Sequence, residues 1–193
     1  VSGLLVRTLG GNSVKPYQPG GYWSHLNFPK RSYKNSSGAS LYRRGLYTYW
    51  CRTFLHPSLL AFDAPTREEC TAERIRSNTP QQALVLLNDP VYVEAARVFS
   101  ERLLAENGAD FAKGIKWAFR EALGRAPRPQ ESTLLESLYK RHLGQYSEDK
   151  DAVAGLTSVG QKPVAGALPK AELAAWISVT RVILNLHETI TRY

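Results

Sequence analysis

Asp110-Phe111-Ala112-Lys113-Gly114-Ile115-Lys116-Trp117-Ala118-Phe119-Arg120-Glu121-Ala122-Leu123-Gly124 decides the fold class. Asp110 can accept hydrogen bonds from the first helical amides, and Gly124 can take the conformation that ends a helix. Between them Ile115, Ala118, Phe119 and Ala122 recur at the helical period and make one apolar face. The pattern continues outward. Pro127 and Pro129 introduce a helix over Gln130 to Leu143, with Leu134, Leu135, Leu138 and Tyr139 facing inward. Pro169 starts a last helix through Leu173, Trp176, Ile177, Val179, Val182, Ile183, Leu186 and Ile190, and its apolar residues cover more than one face, as a central helix requires. Tyr146 to Leu168, rich in Gly, Ser, Asp and Lys, reads as a flexible connector with one helical turn near Asp151.

Upstream, Asn88-Asp89-Pro90 interrupts one helix and starts another, from Val91 to about Ala105, that ends near Asn107-Gly108. Thr79-Pro80-x-Gln82 opens the preceding helix, and Thr66-x-x-Glu69 has the form of a capping box for a helix reaching about Arg76. Tyr47-Thr48-Tyr49-Trp50 has enough aromatic and β-branched character for a strand, but Tyr47, Trp50 and Phe54 fall at i, i+3 and i+7 and favour a further helix. Residues 1–40 are loop-like beyond Gly10-Gly11. Pro16, Pro19, Gly20 and Gly21 punctuate them, and Tyr17, Tyr22, Trp23 and Phe28 favour pinning onto a core. The expected fold is therefore mainly α, an irregular helical bundle with a long aromatic- and proline-rich amino-terminal loop region. We read it as a single helical domain over 1–193 or a fragment of one, with a loop-rich segment (1–40), an Arg/aromatic region (41–106) and a helical bundle (107–193) containing the connector 146–168.

Bulk composition excludes several classes. At 43% hydrophobic and 22% charged residues the chain of 193 is ordinary for a globular protein. No apolar run approaches the roughly 18 residues of a membrane span, and no signal-peptide succession opens the chain. Methionine is absent even at position 1, and Val1-Ser2-Gly3-Leu4-Leu5 reads like the end of a helix already under way, so a processed or truncated fragment is expected. The net charge of +8 is local. Residues 1–80 hold 11 Lys/Arg and 4 Asp/Glu, a balance of +7, while residues 81–193 hold 14 and 13, a balance of +1. Such a field can attract nucleic acid, acidic glycans, an anionic membrane surface or an acidic protein, and composition does not choose among them; no helix-turn-helix, zinc or RNA-recognition signature accompanies it, which argues against nucleic acid.

Chemistry-bearing motifs are sparse. His25, His56, His142 and His187 lie apart without ligand spacing, and Gly-x-Ser-x-Gly is absent, so neither a metal nor a serine triad is supported. Cys51 and Cys70 could be joined by one bridge in an oxidising compartment or be two buried thiols. Asp63 and Asp89 lie in the Arg/aromatic segment, with Trp23 and Trp50 as potential platforms, where a glycosidase would need a carboxylate pair, yet both precede or begin turns and helices that such residues cap. The candidate interaction or structural centre is Arg43, Arg44, Trp50, Arg52, Asp63, Arg67, Arg74, Asn78, Asn88 and Asp89. Its arginines can hold carbonyls at helix ends if buried, or recognise an anion if exposed.

Tyr42-Arg43-Arg44-Gly45-Leu46-Tyr47-Thr48-Tyr49-Trp50, Phe62-Asp63-Ala64-Pro65-x-Arg67-x-x-Cys70, and Asn78-Thr79-Pro80-x-Gln82-Ala83-Leu84-x-Leu86-Leu87-Asn88-Asp89-Pro90 occur here in order. Gly11-x-Ser13-Val14-x-Pro16 precedes them, and Trp176-x-x-Val179-x-Arg181-Val182-x-Leu184-Asn185 follows. Together they resemble the planctomycete-specific domain-of-unknown-function family 1553. The resemblance implies the later portion of a carboxyl-terminal domain of large exported proteins, periplasmic or at the cell surface. It also implies association with cytochrome-c-like domains, so that c-type haem belongs to an associated domain or subunit and no cofactor or metal to this chain. Cys70 fits the pattern, while Cys51 stands where the family carries a basic residue. The reading that follows is a non-catalytic scaffold or docking module whose partners are other domains or subunits of that larger envelope assembly. The alternative is a domain of a polysaccharide-acting enzyme using acidic residues of the Arg/aromatic segment.

Overall fold

The computed structural model describes residues 1–25, 30–51, 54–73, 75–166 and 168–191. They are mainly α, with no strand beyond two isolated bridges among them. The chain forms two compact units, Leu4–Val85, and Leu86–Tyr193 with Val1–Gly3.

The second unit is helical. After α1 (Pro57–Ala61) and α2 (Pro80–Asn88), it contains α3 (Pro90–Asn107), α4 (Phe111–Leu123), α5 (Pro129–Glu148), α6 (Lys150–Thr157), α7 (Lys170–Leu184) and α8 (His187–Ile190). α7 is central and packs chiefly against α3 and α5, with α6 and α4 completing its surroundings. Leu173, Trp176, Ile177, Val179 and Ile183 are fully buried along it. Trp176 stacks on Phe111 at 5.3 Å and 16° and meets Tyr139 at 5.0 Å. α4 approaches so closely that a β-carbon on Gly114 would sit 2.9 Å from the Trp176 ring, which explains a glycine inside a helix. α3 and α7 are further joined by hydroxyls. Thr180 Oγ1 donates to the Ala96 carbonyl at 3.1 Å and lies 2.8 Å from Ser100 Oγ, so two buried hydroxyls satisfy one another.

Helix ends follow their local chemistry. Asp110 accepts from Lys113 N at 3.1 Å, Asp89 from Val91 N at 2.9 Å, and Gly124 is left-handed after α4. Three expectations need correction here. Leu134 is 71% exposed, because one helical step from Leu135 carries it off the face that Leu135 and Tyr139 bury. The final helix does not run unbroken to Ile190. It stops at Leu184, and a separate turn begins at His187. The stretch read as a connector contains the end of α5 and the two-turn α6, started by Asp149 accepting from Ala152 N at 2.8 Å and held by buried Val153 and Thr157.

The first unit is largely irregular. It has 3-10 turns at Tyr22–His25, Gly38–Tyr42 and Gly45–Tyr47 and the short α1. Its core is aromatic: Trp23 meets Tyr33 at 5.3 Å, Phe54 at 5.8 Å and Tyr49 at 6.2 Å, and its indole N–H donates to buried Gln18 at 2.6 Å. Among the described residues, the helices read from Tyr47/Trp50/Phe54 and from Thr66-x-x-Glu69 do not form, nor is Val1–Leu5 helical. Thr48 instead bridges to Val14 in parallel register, drawing the rings onto the Trp23 core without a helix. Residues 66–73 are exposed and polar, so a helix there would have no face to bury, and its caps alone cannot sustain it. Phe28 lies outside the described residues.

Candidate functional site

Two segments of the first unit run side by side, tied by the parallel bridges Val6 to Arg43 and Val14 to Thr48. Eight residues of one span five of the other, so the excess, around Gly10-Gly11, loops out. Arg43 fills that loop. Its guanidinium donates to the carbonyls of Gly10 at 2.6 Å and Thr8 at 2.9 Å and lies 3.7 Å over the Tyr47 ring. The Tyr47 hydroxyl in turn accepts from Gly10 N at 2.8 Å. One cation and one ring thus satisfy three main-chain groups of a glycine loop that has no secondary structure of its own.

Asp63 is a second hub. Its Oδ2 accepts from Ser77 N at 2.9 Å, Ser77 Oγ at 2.7 Å and Gln82 Nε2 at 3.3 Å, while Gln82 Nε2 also donates to Ser77 Oγ at 2.9 Å. Gln82 and Thr79 exchange the reciprocal bonds of a capping box at 3.3 Å each, so the hub fixes the start of α2. Asp63 and Arg67 both have left-handed backbone, with φ of 56° and 63°. That turn brings the Arg67 guanidinium to 4.0 Å from the Trp50 ring. A cavity of about 270 Å³ opens beside the hub, walled by Tyr22, Pro57, Leu60 and Ala61 on one side and by Asp63, Ser77, Thr79 and Gln81 on the other.

The remaining candidates divide. Arg44, Asn78 and Asn88 are exposed. Asp89 belongs to the helical unit and caps α3, with burial raising its carboxyl above the usual range against the pull of the Val91 amide. Arg52 and Arg74 lie outside the described residues. Cys51 is buried and Cys70 exposed, both as free thiols, and Arg31 reaches within 3.9 Å of the Cys51 sulfur. His56 is buried. Its Nε2 lies 3.0 Å from the Tyr17 carbonyl and its Nδ1 accepts from Ser58 N at 3.3 Å, so the ring is the neutral tautomer protonated at Nε2, and burial lowers its pKa. No group of three or more His, Cys, Asp or Glu among the described residues could hold a metal.

A buried charged cluster in the helical unit escaped the reading of the sequence. Arg97, 1% exposed, pairs with Glu101 one turn along α3 and donates to the carbonyls of Lys162 at 2.5 Å and Val159 at 3.3 Å. Glu94 accepts from Gln161 N at 2.8 Å and Lys162 N at 2.7 Å. The signal was present as Glu94-x-x-Arg97-x-x-x-Glu101, ion-pair spacing on one helical face, but nothing in it told burial from an exposed charge stripe.

The model of a family described as "PSD1: Protein of unknown function (DUF1553)" matches residues 1–139, a stretch that includes the Arg43 loop, the Asp63 hub and Glu94-Arg97-Glu101. No curated protein matches, and no solved structure matches.

Proposed function

The chain belongs to the DUF1553 family, and from that membership and the geometry of its Arg/aromatic segment we propose a non-catalytic docking module of a larger exported envelope assembly, one with c-type haem in an associated domain. One observation carries the reading. The residues that would have to do chemistry in this segment are engaged in holding main chain. Arg43 is committed to two carbonyls and a ring, and Asp63 to Ser77 and Gln82. A glycosidase needs two convergent carboxylates, whereas the cavity beside the hub is walled by Asp63 as its one carboxylate among the described residues. Asp89, the other acidic candidate, is engaged as the cap of α3.

What remains for recognition is charge. The unit Leu4–Val85 carries 11 Lys/Arg against 4 Asp/Glu, a balance of +7, and one of those four acids is the internal Asp63. No helix among the described residues is long and apolar enough to cross a membrane. The test is to isolate the tagged chain from the envelope of its native host and size it on a native gel with haem absorbance recorded. Co-migration with a haem-bearing complex is expected. A chain that migrates alone and cleaves glycans, losing that activity in Asp63→Asn while staying folded, would replace the proposal with the enzymatic reading.

A further inference from the structure

The segment Leu5–Leu9 is an unused edge. Val6 is engaged with the neighbouring segment, its N–H donating to the Tyr42 carbonyl at 2.9 Å across the bridge to Arg43. In strand geometry the flanking residues aim their amide and carbonyl groups the opposite way, and their side chains share one face. Leu5 and Arg7 are those residues, and neither makes a hydrogen bond or ion pair. Leu5 is 52% exposed, Leu9 76%, and Arg7 is exposed between them. Across the bridge, Arg44 is exposed, its carbonyl accepting from Tyr47 N at 2.9 Å while its guanidinium makes no hydrogen bond or ion pair, and Leu46 is 76% exposed. Open main-chain groups and five apolar or cationic side chains, with no ion-paired acid among the described residues, therefore belong to this part of the basic unit.

We propose that this edge receives an extended acidic segment of a partner protein, added as a further strand beside Leu5–Leu9. Each feature selects that occupant. The unpaired amides call for another polypeptide backbone, the leucines for apolar side chains, and Arg7 and Arg44 for carboxylates. Nucleic acid or a sulfated glycan would answer the arginines but leave the leucines and the main chain uncovered. A lipid surface would cover leucines and arginines and leave the amides unpaired. The inference rests on the docking function proposed above and specifies the partner's chemistry.

The test uses an eight-residue blocked peptide of alternating Glu and Val, with heparin, a single-stranded DNA 20-mer and phosphatidylglycerol vesicles as competitors for the same chain. The Glu/Val peptide should bind and slow hydrogen exchange at the Leu5 and Arg7 amides, and Arg7→Glu should weaken it by roughly ten-fold or more while Arg7→Lys keeps most of it. Arg7 touches no polar group, so these variants should fold as the parent does. Absence of peptide binding, or tighter binding of heparin, DNA or vesicles without protection of those amides, overturns the proposal. Retention of the Arg7→Glu chain in its native complex would overturn this edge as the docking surface and leave the docking function standing, whereas a wild-type chain that migrates alone removes both.

Discussion

The Arg97 guanidinium and the Glu101 carboxylate form an ion pair that is almost entirely inside the helical unit, at 1% and 4% exposure. With Glu94 they grip the main chain of residues 159–162, so a loop between α6 and α7 is fastened by charge where it lacks apolar anchors. Removing one partner from such a cluster strands the others without solvent. Arg97→Ala should cost about 3–5 kcal/mol in urea unfolding, whereas Arg97→Met combined with Glu101→Leu should cost markedly less. A single variant as stable as the double would contradict the pairing.

Gly160 lies within that grip. Its φ is +96°, and a β-carbon there would fall 2.1 Å from Glu94 Cδ. Gly160→Ala should therefore combine backbone strain with a clash, each costing on the order of 1–3 kcal/mol, and should speed hydrogen exchange at the Gln161 and Lys162 amides. Unchanged exchange at those two amides would count against the fastening.

Acid should act through named groups. His56 has a folded pKa below its ordinary 6.5 because it is buried, so below about 6.5 the unfolded chain takes a proton that the fold refuses, and stability falls with pH. His142 is lowered in the same direction, by burial and then by Arg141 and Arg181, so His56→Gln should flatten the loss between pH 7.5 and 5.5 in part. Glu131 works lower. The Arg125 side chain holds it at about 2 against an ordinary 4.5, so its contribution is whole above 4.5 and disappears as pH falls toward 2. Unfolding curves of parent and His56→Gln with equal slopes across pH 7.5 to 5.5 would refute the assignment.

Asp63 separates charge from conformation. Asparagine tolerates its left-handed backbone, so Asp63→Asn should remove only the charge from the bonds to Ser77 and Gln82, at roughly 1–2 kcal/mol, and Asp63→Ala should cost more by adding strain. Asp89→Ala, which removes a helix cap, should cost about 1 kcal/mol. Equal melting temperatures for Asp63→Asn and Asp63→Ala would show that the backbone at this turn is not under constraint.

The legible parts of the fold were those in which local and global signals agree. Asp110, Gly124, Pro129 and the apolar face of Ile115, Ala118 and Phe119 gave α4 and the start of α5, and the many-sided apolar character of Trp176, Ile177 and Val179 marked α7 as central. Where one local signal stood alone it misled. Thr66 and Glu69 have capping spacing, but the exposed residues after them offer nothing to pack, so no helix follows. Tyr47 and Phe54 have helical spacing, yet they belong to a segment held by a parallel bridge and a tryptophan, contacts that depend on residues some thirty positions away and leave no periodic trace. In the candidate site, Arg43, Trp50, Asp63 and Arg67 stand out in the sequence as an unusual set, but their partners are carbonyls, rings and amides that sequence spacing does not reveal.

The account turns on Arg43 being an internal fastener of the Gly10-Gly11 loop through Tyr47. Its most direct test is the unfolding free energy of Arg43→Ala. Loss of two carbonyl bonds and a cation–ring contact predicts a cost of about 1–3 kcal/mol, with the Gly10 amide exchanging faster. A variant as stable as the parent, with the Gly10 amide unchanged, would contradict it.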